Sequence, residues 1–254
     1  MKPFLQQIKK FFDNRIAAIT GLILFKLAFQ LIVIRSGLKW LTADDYSRTV
    51  ISWDWLQAPR IYSGVWLSFH FWLNGLFIWI FKDLTLAPVI LSTLFSVLTL
   101  VYLYLLLEKI FTKEIAVISC LIYAVFPFQV WLSTSAMPET PFFFFITACF
   151  YYFIMWYRGL ELRSKSHVYL ILAAVSLNFA NALRYEGWFF TIAFVIMVII
   201  LSYRKFRFTR PMLINFGYAM ISYITMIWWL WQNYHDYGDA FFFIKETTKI
   251  YAGL

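Results

Sequence analysis

Residues Leu86 to Leu107 read LAPVILSTLFSVLTLVYLYLLL, without one charged side chain. At a rise of about 1.5 Å per residue, a helix of this length crosses the ~30 Å hydrocarbon core of a bilayer. Comparable apolar runs flank it on both sides, near 16–36, 65–81, 115–132, 140–157, 168–183, 188–203 and 211–231. They are long and continuous rather than ten-residue alternating segments, which points to helices and away from an outer-membrane barrel. The expectation is an all-α, polytopic transmembrane helical bundle with seven or eight crossings.

Composition agrees. Hydrophobic residues make up 62% of the 254, aromatic residues 22% and charged residues 14%, against about 25% charged in a soluble domain. The polar residues are too few to cover a water-exposed globule, so lipid covers most of the surface. The net charge of +9 comes from short clusters between apolar runs, where membrane proteins keep lysine and arginine, and forms no basic domain. Nucleic acid is therefore not an expected partner. Cys120 and Cys149 each lie inside an apolar run and read as small buried hydrophobes, with no disulfide and no metal site.

The first run follows Lys2, Lys9, Lys10 and Arg15 and continues into Ile34-Arg35-Ser36-Gly37 with no small-residue cleavage site, so it reads as an uncleaved first span. Lys26, in its middle, should point into the bundle. With the N-terminus cytoplasmic and 65–81 not crossing, the cytoplasmic segments hold 13 basic residues and the other face 8, as the positive-inside rule requires. Eight crossings with an external N-terminus give the same ratio but must translocate a lysine-bearing segment. Seven crossings, with 65–81 lying at the outer interface inside a first outer loop at 37–85, is the preferred arrangement.

That arrangement puts nine acidic residues on the outer face and four on the inner. The outer loop reads Thr42-Ala43-Asp44-Asp45-Tyr46-Ser47-Arg48, and Trp53, Trp55, Trp66, His70 and Trp72 follow. Two readings fit the aspartates. Thr42 suits a helix N-cap, with Asp44 and Asp45 as first-turn acids complementing the dipole. A carboxylate pair beside Arg48 also suits general-base work on a sugar hydroxyl, and adjacent helical residues point about 100° apart, so one of the two would reach the reacting atom. The tryptophans fit an interfacial belt, and Phe142–Phe145 fits a packing or lipid-facing surface.

An acidic pair just after the first span, followed by an apolar non-crossing helix, resembles the GT-C membrane glycosyltransferases (glycosyltransferase family 39-like), which include the protein O-mannosyltransferases and the aminoarabinose transferases. Further matches follow in order. Glu108-Lys109-Ile110-Phe111-Thr112-Lys113 is similar to the family's basic cytoplasmic loop. Ser133-Thr134-Ser135-Ala136-Met137-Pro138-Glu139 resembles its loop ending in proline and an acid. Leu183-Arg184-Tyr185-Glu186-Gly187-Trp188 resembles a basic-acidic element at the outer end of a later span, and Asn233-Tyr234-His235-Asp236-Tyr237-Gly238-Asp239 a segment after the seventh crossing. Where the family often has Pro-Pro-Leu, this chain has Ser63-Gly64-Val65.

The resemblance implies inverting transfer of a sugar from a polyprenyl-phosphate-linked donor to an acceptor hydroxyl on a protein, lipid or glycan, at the extracytoplasmic face. It implies Asp44 as the base, with Asp45 second, and Arg184 and Arg48 as partners of the leaving phosphate. His70 is a helper, and Glu139 and Glu186 are sugar- or acceptor-binding residues. Each has a plainer alternative: an Arg184–Glu186 pair, a packed interfacial histidine, a first-turn helix acid. No cofactor is implied with certainty; family members differ on metal, and only the paired aspartates suggest ligands for a divalent cation. Members are commonly longer, so residues 1–254 read as one membrane module, with a further C-terminal region or a partner membrane subunit conceivable. A bacterial or archaeal plasma membrane fits better than the endoplasmic reticulum. Two other classes stay open: a lipid-linked saccharide transporter or flippase, and a catalytically silent scaffold subunit.

Overall fold

The computed structural model describes residues 14–37, 42–59, 65–162 and 166–253. Of the basic residues that set the orientation, Lys2, Lys9, Lys10, Lys39, Arg60, Arg163 and Lys165 lie outside the described residues, as do parts of the 37–85 loop. The described chain is helical, without a strand.

Helix α1 (Arg15–Arg35) opens on Asn14, whose Oδ1 accepts the Ile16 and Ala17 amides at 3.0 and 3.3 Å, the usual N-cap device. Helix α2 (Ala43–Gln57) and α3 (Phe69–Phe81) follow in the loop, and α4 (Leu86–Ile110) covers the long apolar run. The run at 115–132 is divided: α5 (Lys113–Val125) stops before Pro127, and α6 (Pro127–Leu132) restarts with that proline in its first turn. Proline supplies no amide for a continuing helix and pushes the preceding residue to extended backbone, as Phe126 shows at φ −62° and ψ 120°. Next come α7 (Glu139–Leu162), α8 (Ser166–Asn181), α9 (Glu186–Phe206) and α10 (Arg210–Ala219). A 3₁₀ turn (Met220–Tyr223) joins α10 to α11 (Ile224–Tyr237), and α12 (Phe242–Ala252), which the hydropathy pattern did not announce, closes the described chain.

Among the described residues, five segments are long and apolar enough to cross a membrane: α1, α4, α7, α9, and the α10–α11 stretch Arg210–Tyr237. Only 22–33% of each one's most apolar window is covered by protein. The rest is side chains such as Leu24, Ile32, Phe189, Ile196 and Ile227, exposed on the outside of the bundle, where lipid is their natural solvent. Against the expected seven crossings stand five full-length helices, and the remaining apolar runs form shorter elements, α5–α6 and the 16-residue α8. Helix α3 has 13 residues, about 20 Å, which falls short of the hydrocarbon thickness. The 65–81 run takes the form of this short helix, packed on α2 and α4.

The core is centred on α7, which packs along α8 and α4. Trp156, Leu170, Leu177 and Val198 fill that seam, with Phe145 stacked on Phe179 at 5.1 Å. The Phe142–Phe145 run is packing surface. A second cluster, including Leu22, Leu100, Tyr104 and Cys120, ties α1 to α4 and α5. Both cysteines are buried and unpaired. Lys26 points into the bundle, fully buried, and donates to Gln30 Oε1 at 3.3 Å and Ser133 Oγ at 3.4 Å. The Gln30 amide donates on to Thr93 Oγ1 and the Ser133 carbonyl, which anchors the α6–α7 loop to α1 and α4.

Candidate functional site

The first turn of α2 divides the aspartate pair. Thr42 and Asp45 form a capping box: Asp45 Oδ2 accepts the Thr42 amide at 2.9 Å and its hydroxyl at 2.7 Å, while Thr42 Oγ1 accepts the Asp45 amide. Asp45 Oδ1 accepts the Ala136 amide at 2.6 Å, and the residue is fully buried. Asp45 is therefore committed to holding α2 against the α6–α7 loop. Asp44, the preceding residue, is exposed and faces a cavity.

Arg48 lies one helical turn beyond Asp44 on the same face of α2. It is 8% exposed, its guanidinium sits 4.6 Å from the Trp66 ring centre, and its Nε has no partner. Burial lowers its pKa, while the charges of Glu139 and Asp44 work the other way. It forms no ion pair among the described residues, so its charge remains available to a ligand.

His70, at the start of α3, is buried. Its Nε2 lies 2.8 Å from the Ala136 carbonyl oxygen. A carbonyl only accepts, so Nε2 carries the proton and the partnerless Nδ1 carries the lone pair. Burial, with help from the Arg48 charge, pushes the imidazole down to about 3, outweighing the Ala136 hydrogen bond. The residue is a neutral clamp, and the packed-histidine alternative describes its position. Asp45 and His70 together grip both polar backbone groups of Ala136, three residues before Glu139.

Arg184 sits in the turn between α8 and α9. It donates to Glu186 Oε2 at 3.1 Å and Oε1 at 2.6 Å, and also to Glu139 Oε1. Burial opposes its charge, but these two carboxylates outweigh that and raise its pKa. The turn is tight: a Cβ on Gly187 would meet Asn181 Oδ1 at 2.6 Å and the Asn181 amide nitrogen at 3.1 Å. Asn181 is in turn held by donating to Thr191 Oγ1 and the Ser222 carbonyl, both at 2.7 Å.

Asp44, Arg48, Glu139, Arg184 and Glu186 all line one cavity of about 510 Å³, together with Trp66, Tyr185, Phe189 and Thr247. Five of the seven residues singled out from sequence thus converge from three separate stretches; Asp45 and His70 lie behind the wall. Tyr185 was not singled out. Its hydroxyl donates to the Val65 carbonyl at 2.9 Å and accepts from Trp229 Nε1 at 3.1 Å, and its ring stacks on Phe243 of α12 at 4.7 Å. Its place inside the Arg184–Glu186 motif was the available signal; Thr247 had none. The Asn233–Asp239 segment does not line the cavity. Asn233 bonds back to the Trp229 carbonyl, Gly238 caps α11 at φ 69°, and Asp239 pairs with Lys245. Trp55 and Trp72 pack on protein, against Gly75 and Trp228 respectively. No group of three or more metal-ligating side chains gathers among the described residues. Of the aspartate pair, Asp45 has both oxygens engaged by hydrogen bonds, whereas Asp44 lines the cavity.

The model of a family described as dolichyl-phosphate-mannose-protein mannosyltransferase matches residues 68–231, which include His70, Glu139, Arg184 and Glu186. No curated protein and no solved structure matches the chain.

Proposed function

The chain belongs to the dolichyl-phosphate-mannose-protein mannosyltransferase family, and from that premise we propose that the cavity beside α2 is where a sugar leaves its lipid phosphate for an acceptor hydroxyl. Family membership makes the chain a membrane glycosyltransferase of the GT-C type, working with a lipid-linked sugar donor in an integral membrane setting. The finer steps are proposals. Asp44 takes the proton of the acceptor hydroxyl, and that oxygen attacks the anomeric carbon from the face opposite the phosphate. The carbon–oxygen bond to the polyprenyl phosphate breaks with inversion, and its electron pair departs on the phosphate. Arg48, unpaired and largely desolvated, stabilises that charge where fixed charges act strongly. Arg184, already neutralised by two carboxylates, suits orienting Glu139 and Glu186 toward sugar or acceptor hydroxyls. The cavity lies at the outer end of a bundle of seven crossings with α3 at the interface.

The observation that carries this reading is the joint exposure of Asp44 and Arg48, one turn apart, to the same polar cavity. Asp44→Asn should lower sugar transfer by the 10²–10⁴-fold typical of a lost general base, with expression and helix content unchanged. Asp44→Asn with full activity would sink the assignment. Transfer by the purified chain alone separates this reading from a silent scaffold subunit, and saccharide movement without transfer would favour a flippase.

A further inference from the structure

A second cavity, of about 440 Å³, opens at the other end of the bundle. It lies where α8 and α10 begin and α9 ends, the length of α9 away from the Arg184 turn, about 30 Å. Gly159, Ser166, His167, Lys205 and Pro211 line it, with no acidic side chain among the described residues lining it. Its size is in the range of small-molecule sites.

Three features point to one ligand chemistry. The first turns of α8 and α10 face the region, and the leading amides of each have no partner within their helices. Thr209, at the head of α10, makes no side-chain cap. Lys205 and His167 are exposed at the cavity, and Lys205 forms no ion pair among the described residues. Ser166 is only 6% exposed, yet its hydroxyl bonds to no described residue. Gly159 packs against it: a Cβ there would meet Ser166 Cβ at 2.9 Å. The Ser166 oxygen is not among the side-chain atoms sealed from solvent, so the hydroxyl opens onto the cavity, where a ligand can reach it. The Arg207 backbone, at φ 53°, turns the chain sharply between Lys205 and α10.

We propose that this cavity binds a phosphate ester anion, the headgroup of an anionic membrane lipid. Lys205 and His167 meet its charge, and the Ser166 hydroxyl donates to a phosphate oxygen. Basic cavities between helices at a membrane face are suited to such headgroups, and a phospholipid arrives there by lateral diffusion. The site is separate from the sugar-transfer cavity and does not depend on the reading given to it.

The test uses the full chain in phosphatidylcholine nanodiscs, with and without phosphatidylglycerol, reading retained lipid by native mass spectrometry and thermal stability alongside. Wild type should retain phosphatidylglycerol; Lys205→Glu should weaken retention at least tenfold, and Lys109→Glu, a basic residue near the same end but outside the cavity, should not. If Lys205→Glu fails to fold, Lys205→Gln and Ser166→Ala should each weaken retention in the same order of severity. Millimolar inorganic phosphate added to phosphatidylcholine discs forms the second arm. Stabilisation there that Lys205→Gln removes would keep the anion site and assign it to soluble phosphate. No response to either phosphate source, or equal loss in the Lys205 and Lys109 variants, would overturn the proposal.

Discussion

Ala136 has no polar side chain, yet two helices spend a buried carboxylate and a buried imidazole on its backbone. Backbone polar groups need partners wherever water is absent, and Asp45 and His70 supply them where the loop turns toward Glu139. The two residues therefore act on the cavity by placing its wall. Asp45→Asn should lower thermal stability as well as transfer, whereas Asp44→Asn should lower transfer alone; melting curves beside an activity assay distinguish them. The depressed pKa of His70 gives a pH dependence of definite sign. Between its unfolded value, near 6.5, and about 3, the unfolded chain binds a proton that the folded chain refuses. Stability should therefore fall as pH drops below about 6.5, by at most ~1.4 kcal/mol per unit from this group. His70→Gln should flatten that limb in melting curves measured from pH 7 to pH 4.5, and an unchanged slope would count against the clamp.

Among the elements, the pair α2–α3 decides where Asp44 and Arg48 stand. The helices meet at Gly75, where a Cβ would lie 2.8 Å from Trp55 Cε3 and 3.1 Å from the Ser52 carbonyl oxygen. Asn74 fastens the same contact by donating to Ser52 Oγ at 3.2 Å. A rigid indole and a backbone oxygen leave little room to yield, so Gly75→Val should push α2 outward. The expected cost is about 1–3 kcal/mol of stability, with transfer falling roughly tenfold as Arg48 leaves its place; retained transfer with normal stability would show the contact to be slack. Elements were only partly legible beforehand. Thr42 as an N-cap and α3 as a short helix follow from residue chemistry and apolar length. The break at Phe126-Pro127 was passed over because hydropathy ran on through a proline that local geometry does not. Helix α12 was missed because its sequence, FFIKETTKIYA, is too polar to register as a span.

For the whole molecule, the two cavities lie at opposite ends of the bundle, the acidic and basic cluster at one and the lysine-lined pocket at the other. With Cys120 and Cys149 both buried, introduced cysteines can report on sidedness without background. Ser47→Cys, exposed on α2, should react with a membrane-impermeant maleimide in intact cells. Lys205→Cys should react only after permeabilisation. The reverse pattern would invert the proposed orientation and move sugar transfer to the inner face.

Length, hydropathy and the distribution of charge along the chain were sufficient for an all-α membrane bundle, because burying a backbone in lipid leaves helices as the solution for long apolar runs. Sequence order also sufficed to single out Asp44, Arg48, Glu139, Arg184 and Glu186, since polar residues at the ends of apolar runs stand apart. What it could not separate was Asp44 from Asp45, or Arg48 from Arg184. Those distinctions depend on partners distant in the chain: Ala136 taking one aspartate out of the cavity, Glu139 and Glu186 pairing with one arginine, and Trp66 holding the other without an ion pair among the described residues. Hydrogen bonds and ion pairs across 45 or 91 residues exist only after packing, and tertiary structure alone decides them.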